Sequence, residues 1–122
     1  MDTHLPIITK QVFVAKTVGA GTSETSPAIS LVNAQSNGYF TIQLTMTGDG
    51  TLGLVYEVSI DGANFVQPSG SSAITTAFSK TSGGGADGKD MFSFTPMLCT
   101  AIRFKATATT SDVVLTATVC IQ

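Results

Sequence analysis

Residues 38–67, GYFTIQLTMTGDGTLGLVYEVSIDGANFVQ, decide how the chain is read. Phe40, Ile42, Leu44 and Met46 alternate with Thr41, Gln43, Thr45 and Thr47, the period of two that marks a strand with one buried face. Leu52, Leu54, Tyr56, Val58 and Ile60 repeat the pattern, and Asp49-Gly50 and Asp61-Gly62 punctuate it. The stretch therefore reads as three consecutive antiparallel strands joined by two turns. Register tests the turns, because residues sharing a face must pair with each other. A two-residue turn at Asp49-Gly50 would set apolar against polar residues. A bulged loop over Asp49-Gly50-Thr51 pairs Met46 with Leu54 and Phe40 with Ile60. At Asp61-Gly62 the two-residue turn fits, with Ile60 opposite Ala63 and Val58 opposite Phe65. Both turns are explained by folding alone.

Outward from this stretch, residues 10–18 (KQVFVAKTV) form a first strand and residues 19–27 a polar loop. A short strand over residues 28–32 precedes a turn at 33–38. After a Pro/Ser/Gly loop come a strand at 73–80, a flexible loop over 81–90 and a short strand at 91–94 stopped by Pro96. Residues 101–108 and 113–121 close the chain as a hairpin. Around eight short strands, with no helical period of ten residues, indicate an all-β antiparallel β-sandwich or jelly roll. The expected layout is an N-terminal arm over residues 1–9 and a single β-sandwich domain over 10–122.

Composition narrows the function. The chain has 122 residues, enough to bury roughly two-thirds of its unfolded surface. Hydrophobic residues make up 43%, while 11% are charged, against ~25% in typical domains. Its surface is accordingly built from Thr, Ser, Asn and Gln. Such a surface suits a protein packed against neighbours, and equally follows from strand propensity. The net charge of −2 offers no electrostatic reason to bind nucleic acid. No apolar run is long enough to span a membrane as a helix. MDTHLPIITK has neither a basic n-region nor an apolar h-region, so folding in the cytoplasm is expected.

Candidate chemistry is sparse. Residues 83–90, GGGADGKD, match G-x-G-x-x-G and the first seven positions of a P-loop. Asp90 stands where a P-loop needs a hydroxyl, and a strand follows where the phosphate-binding helix should start, so nucleotide binding is rejected. Asp87 and Asp90, with Asp61 or Asp49, lack the spacing of a calcium loop and read as solvated turn residues. His4 is the only histidine, so a triad and a multi-histidine metal site both lack their parts. Distant acids can meet in a fold, which leaves paired-carboxylate hydrolysis open with no pattern in its favour. No catalytic residue, cofactor site or metal site is assigned.

Cys99 and Cys120 project from the same face of the expected closing hairpin. A cross-strand disulfide is within geometric reach there, and a cytoplasmic protein favours reduced, packed thiols. Arg103 and Lys105 share that outer face, and Glu57 points outward from its own strand. They read as ordinary surface pairs or as interface residues, together with His4 and Ile7 of the arm. Tyr56 and Phe65 fall on the core face, and the chain has no tryptophan, which weakens sugar binding by ring stacking.

YEVSIDGANFV (residues 56–66), then GKDMFSFTP (88–96) and the Thr/Val-rich closing hairpin, resemble small β-sandwich structural proteins of tailed bacteriophages. The resemblance follows the order of elements over roughly residues 27–121. It implies a non-enzymatic virion component made in the host bacterial cytoplasm, most specifically a capsid decoration or cement protein. Its partner would be the major capsid protein, with a homotrimer favoured among homo-oligomers. The alternative is a tail or baseplate accessory protein, contacting a tail protein, or a host-surface glycan adhesion module. A small hydrolase on a jelly roll is a third class. The matching positions are structural, so no binding residue is carried over.

Overall fold

The structure, a computed structural model, describes residues 7–32, 38–70 and 72–122. Among these residues nine strands make two antiparallel sheets: β1 (Ile8–Val18), β2 (Ser23–Thr25), β3 (Ile29–Ser30), β4 (Phe40–Gly48), β5 (Thr51–Ser59), β6 (Ala73–Phe78), β7 (Lys89–Phe94), β8 (Ala101–Thr109) and β9 (Val113–Ile121). One sheet has the order β1-β9-β4-β7, and the other β2-β8-β5-β6, with β3 also paired to β8. The expected all-β sandwich is present, with no helix among the described residues.

Pro27 divides β2 from β3, since it has no N–H for the ladder. Ser26 mends the gap. Its amide donates to Phe104 O, and its buried hydroxyl accepts the Phe104 amide at 2.9 Å. Counted as one interrupted strand, β2 and β3 bring the total to eight. Every connection then crosses between sheets except β5–β6. That is a jelly roll.

This wiring corrects two expected hairpins. β4 does not pair with β5; Met46 lies opposite Leu115 and Leu54 opposite Ala106. Phe40 lies opposite Ile121 and Phe94, while Ile60 is exposed beyond the end of β5. Nor does β8 pair with β9, which runs between β1 and β4. Alternation states which face is buried and leaves the neighbour undetermined. An arch between facing sheets buries the same residues as a hairpin within one sheet. Ile42, Leu44 and Met46 accordingly face Leu52, Leu54 and Tyr56 across the core, all buried. Phe94 of β7 bridges the layers, with ring centroids 5.4 Å from both Phe40 and Tyr56 and 6.0 Å from Phe104.

The two arches, residues 48–51 and 110–112, close on each other at one end of the sandwich. A Cβ on Gly48 would sit 2.5 Å from Asp112 O, and one on Gly50 would overlap Ser111 O. Glycine is needed here because two backbones touch. Asp112 ties in the first loop by accepting the Ala20 amide at 2.8 Å. Loop 79–88 joins the same end: Gly88 O accepts the Met46 amide, and its own amide donates to Ser82 O. The expected flexible loop is thus a set of hydrogen-bonded turns fastened to β4.

The third strand of the opening stretch is also corrected. Beyond Ser59 there is a single bridge, Val58 to Val66, in place of a two-residue hairpin. Asp61 builds the longer loop by accepting from Ser59 Oγ, the Ala63 and Asn64 amides, and Asn64 Nδ2. At the other boundaries, β1 starts two residues earlier than expected, and Ser23–Thr25 is a strand inside the expected polar loop.

Candidate functional site

The end of the sandwich opposite the arches is its least expected feature. Ser59 at the end of β5 pairs with Ala101 at the start of β8, and Ser30 pairs with the same residue. Residues 31–32, 60–66 and 95–100 therefore project together, knitted by Thr100 N to Ser59 O and Leu31 N to Thr100 O. On this frame Leu98 is 96% exposed and Ile60 80% exposed. Val32, Val66 and Met97 are also well exposed. They are contiguous: one depression is walled by Ile60, Val66, Met97 and Leu98, and a second sets Val32 beside Ile60. A third runs under Leu98 to Leu31, Phe40 and Cys99.

Scattered exposed apolar residues are ordinary on a protein surface. A contiguous apolar patch on three converging loops is a candidate interaction site. Among the described residues the only carboxylate lining these depressions is that of Asp61, whose loop amides and the Ser59 hydroxyl hold it well below the usual carboxylate range. Sequence reading missed the patch because its residues lie outside the alternating runs. The available signal was Met97-Leu98 stranded between Pro96 and the cysteine, and Ile60 abutting an Asp-Gly turn.

The other predicted residues are dispersed. Ile7 is exposed just before Ile8, which pairs with Ile121 beside Phe40, so it emerges at this same end. His4 lies outside the described residues. Arg103 and Lys105 are on the outer face of the second sheet. There Arg103 Nε donates to Glu57 Oε1 at 2.7 Å across the β5–β8 pair, and its guanidinium lies 4.3 Å from the centroid of Phe65. Phe65 is therefore on the outside and not on the expected core face. Cys99 and Cys120 are free thiols; the hairpin that would have set them side by side does not form. Burial pushes the Cys99 thiol above its usual range.

The aspartates do not converge. Asp49 pairs with Lys80 Nζ, Asp87 and Asp90 accept nearby backbone amides, and Asp61 lies at the opposite end. Among the described residues no group of three or more His, Cys, Asp or Glu could hold a metal ion. No helix among them is long and apolar enough to cross a membrane.

No family model matches the chain, and no curated protein matches its sequence. Solved structures do share its shape. The chain is similar to the VP2 subviral particle of infectious bursal disease virus, with TM-score 0.63 and 8% identity, covering 95% of this chain and 32% of that one. It thus spans about a third of the viral polypeptide it matches. SPBc2 prophage-derived protein YomS matches over 98% of this chain and 97% of its own, with TM-score 0.52 and 9% identity. The CBM22-1 xylan-binding domain of Paenibacillus barcinonensis Xyn10C matches over 99% and 97%, with TM-score 0.50 and 8% identity. At these identities the likeness is one of fold: an antiparallel two-sheet sandwich that can serve very different ends.

Proposed function

We propose that the protein is a non-enzymatic structural component of a virion, most specifically a capsid decoration or cement protein seated on the major capsid protein. The observation that carries this reading is the apolar end centred on Leu98 and Ile60. Water contact with these side chains costs free energy that a partner surface would recover, about 1.5–3 kcal/mol for each large side chain fully buried. The low charge of the chain supports the same reading, because few charges need desolvation when it is packed among neighbours. The arch end, closed by its own backbone contacts, supplies the rigid body behind the docking end. A homotrimer set around a symmetry axis would present three such ends to adjacent capsid subunits, and multivalency would turn weak single contacts into firm seating.

The test is to incubate the purified protein with empty capsids of the virus that encodes it, sediment them, and measure the bound fraction. Saturable binding at a fixed ratio to capsid subunits is expected. A protein that neither binds these capsids nor copurifies with virions would overturn the reading.

A further inference from the structure

A second surface, distinct from the apolar end although Gln67 on its wall follows Val66, has the features of a ligand site. On the outer face of the second sheet, a groove of about 250 Å³ runs across β8, β5 and β6. Its floor is Gly53 and Val55 of β5, and Lys105 and Thr107 of β8 form one wall. Thr75 and Thr76 of β6, with Gln67, form the other.

Gly53 is the informative residue. A glycine inside a strand weakens it, by roughly 1 kcal/mol relative to a residue with a side chain, and so calls for a reason. Neither a left-handed backbone nor close packing supplies one. Its φ is outside the left-handed region, and a Cβ would meet nothing nearer than Thr76 O at 3.8 Å and Thr75 O at 3.9 Å. Its pairing with Thr107 lies in an unbroken β5–β8 register. Gly53 lies at the first irregularity of the β5–β6 pair, but the extra residue there is on β6, so the bulge does not itself require a glycine on β5. What the missing side chain does is keep the groove open, with backbone within reach at its floor.

The chemistry of the walls selects a ligand class. Threonine hydroxyls and the Gln67 amide both donate and accept, as vicinal sugar hydroxyls require. Val55 and the Gly53 backbone give a small apolar floor for the C–H face of a ring. Among the described residues the groove has one charge. Unlike Arg103, which is engaged by Glu57 and Phe65, Lys105 has no carboxylate partner among the described residues. We propose that this groove binds an acidic saccharide, with a uronate carboxylate on Lys105 and the ring seated over Gly53. With no aromatic plane to stack on, one sugar-sized ligand should bind at about 1 mM, the scale set by ordinary ligand efficiency.

The experiment titrates ¹⁵N-labelled protein with a galacturonate trisaccharide and, separately, with the neutral galactose trisaccharide. The expected result is saturable shifts of the Gly53, Thr75, Lys105 and Thr107 amides with the acidic sugar, and at least tenfold weaker binding of the neutral one. Gly53→Thr, which fills the groove and suits a strand, should abolish the shifts. Lys105→Gln should weaken the acidic sugar about tenfold and erase the preference over the neutral one. Should Gly53→Thr not fold, the Lys105→Gln comparison decides alone. No amide shifts at tenfold the expected dissociation constant, equal binding of the two sugars, or undiminished binding by either folded variant would each overturn the proposal. Neither arm touches the apolar end, so this site and the capsid contact stand or fall separately.

Discussion

Replacing Gly50 by alanine tests the arrangement on which the whole topology depends, two arches in backbone contact. Gly50 is not in a left-handed conformation, so the substitution carries no dihedral penalty of its own. What it meets is steric: the new Cβ would overlap Ser111 O and lie 2.8 Å from Ser111 C and 2.9 Å from Val113 Cγ1. Val113 cannot give way, since it is fully buried and held in register by Val18 on one side and Gly48 on the other. Forcing extra volume into such a contact costs about 1–3 kcal/mol. For a chain of 122 residues, an unfolding entropy of ~2.1 cal/mol/K per residue makes each kcal/mol worth about 4 °C, so Tm should fall by ~4–12 °C. Gly84→Ala is the matched control, because its Cβ meets nothing within 4 Å and its φ is ordinary. It should leave Tm unchanged or raise it slightly through the unfolded state. Calorimetry of the two variants decides. A Gly50→Ala protein melting within ~2 °C of the parent would mean that the arches do not touch, and would revive a β4–β5 hairpin.

Three further outcomes are expected. Folded Asp61 resists protonation, whereas the unfolded residue takes a proton near its ordinary value of 3.8. Its stabilising contribution is therefore complete above that pH and is lost progressively below it, so Asp61→Asn should flatten the fall of Tm in acid; an unchanged acid slope would refute this. Mass measurement under non-reducing conditions should find two alkylatable thiols after unfolding, with Cys99 slow to react in the folded protein; a species that takes up no alkylating agent would contradict the free-thiol state. A double-mutant cycle on Arg103→Ala and Phe65→Ala should give a coupling of about 0.5–1 kcal/mol from the cation–π contact, and strict additivity would show that the stack does not persist in solution.

What could be read from the residues was inside-versus-outside, not neighbour-versus-neighbour. Ile42, Leu44, Leu52 and Leu54 announce their buried face by alternation, and that face is the one observed. The pairing of β4 with β9 depends on contacts some 70 residues away, which no local pattern encodes. The same gap explains Glu57 and Arg103: each was legible as outward, but their union is set by the β5–β8 register. Ser23–Thr25 was illegible because three polar residues carry no period, and Phe65 was misplaced because the Asp61 loop is longer than the tightest turn its sequence permits. Ile60 shows the limit most clearly. It continues the alternation of β5 faithfully, yet it lies past the last ladder pair, where alternation no longer points into the core.

The apolar end is the central claim, and one binding measurement tests it most directly. Leu98 and Ile60 are so exposed that Leu98→Asp with Ile60→Asp should alter folding stability by no more than ~0.5 kcal/mol each. Losing two anchoring side chains from a docked interface should nevertheless weaken capsid binding by about a hundredfold or more. The account predicts a doubly substituted protein that melts like the parent and fails to sediment with empty capsids. A folded double variant that saturates the capsids as the parent does would contradict it.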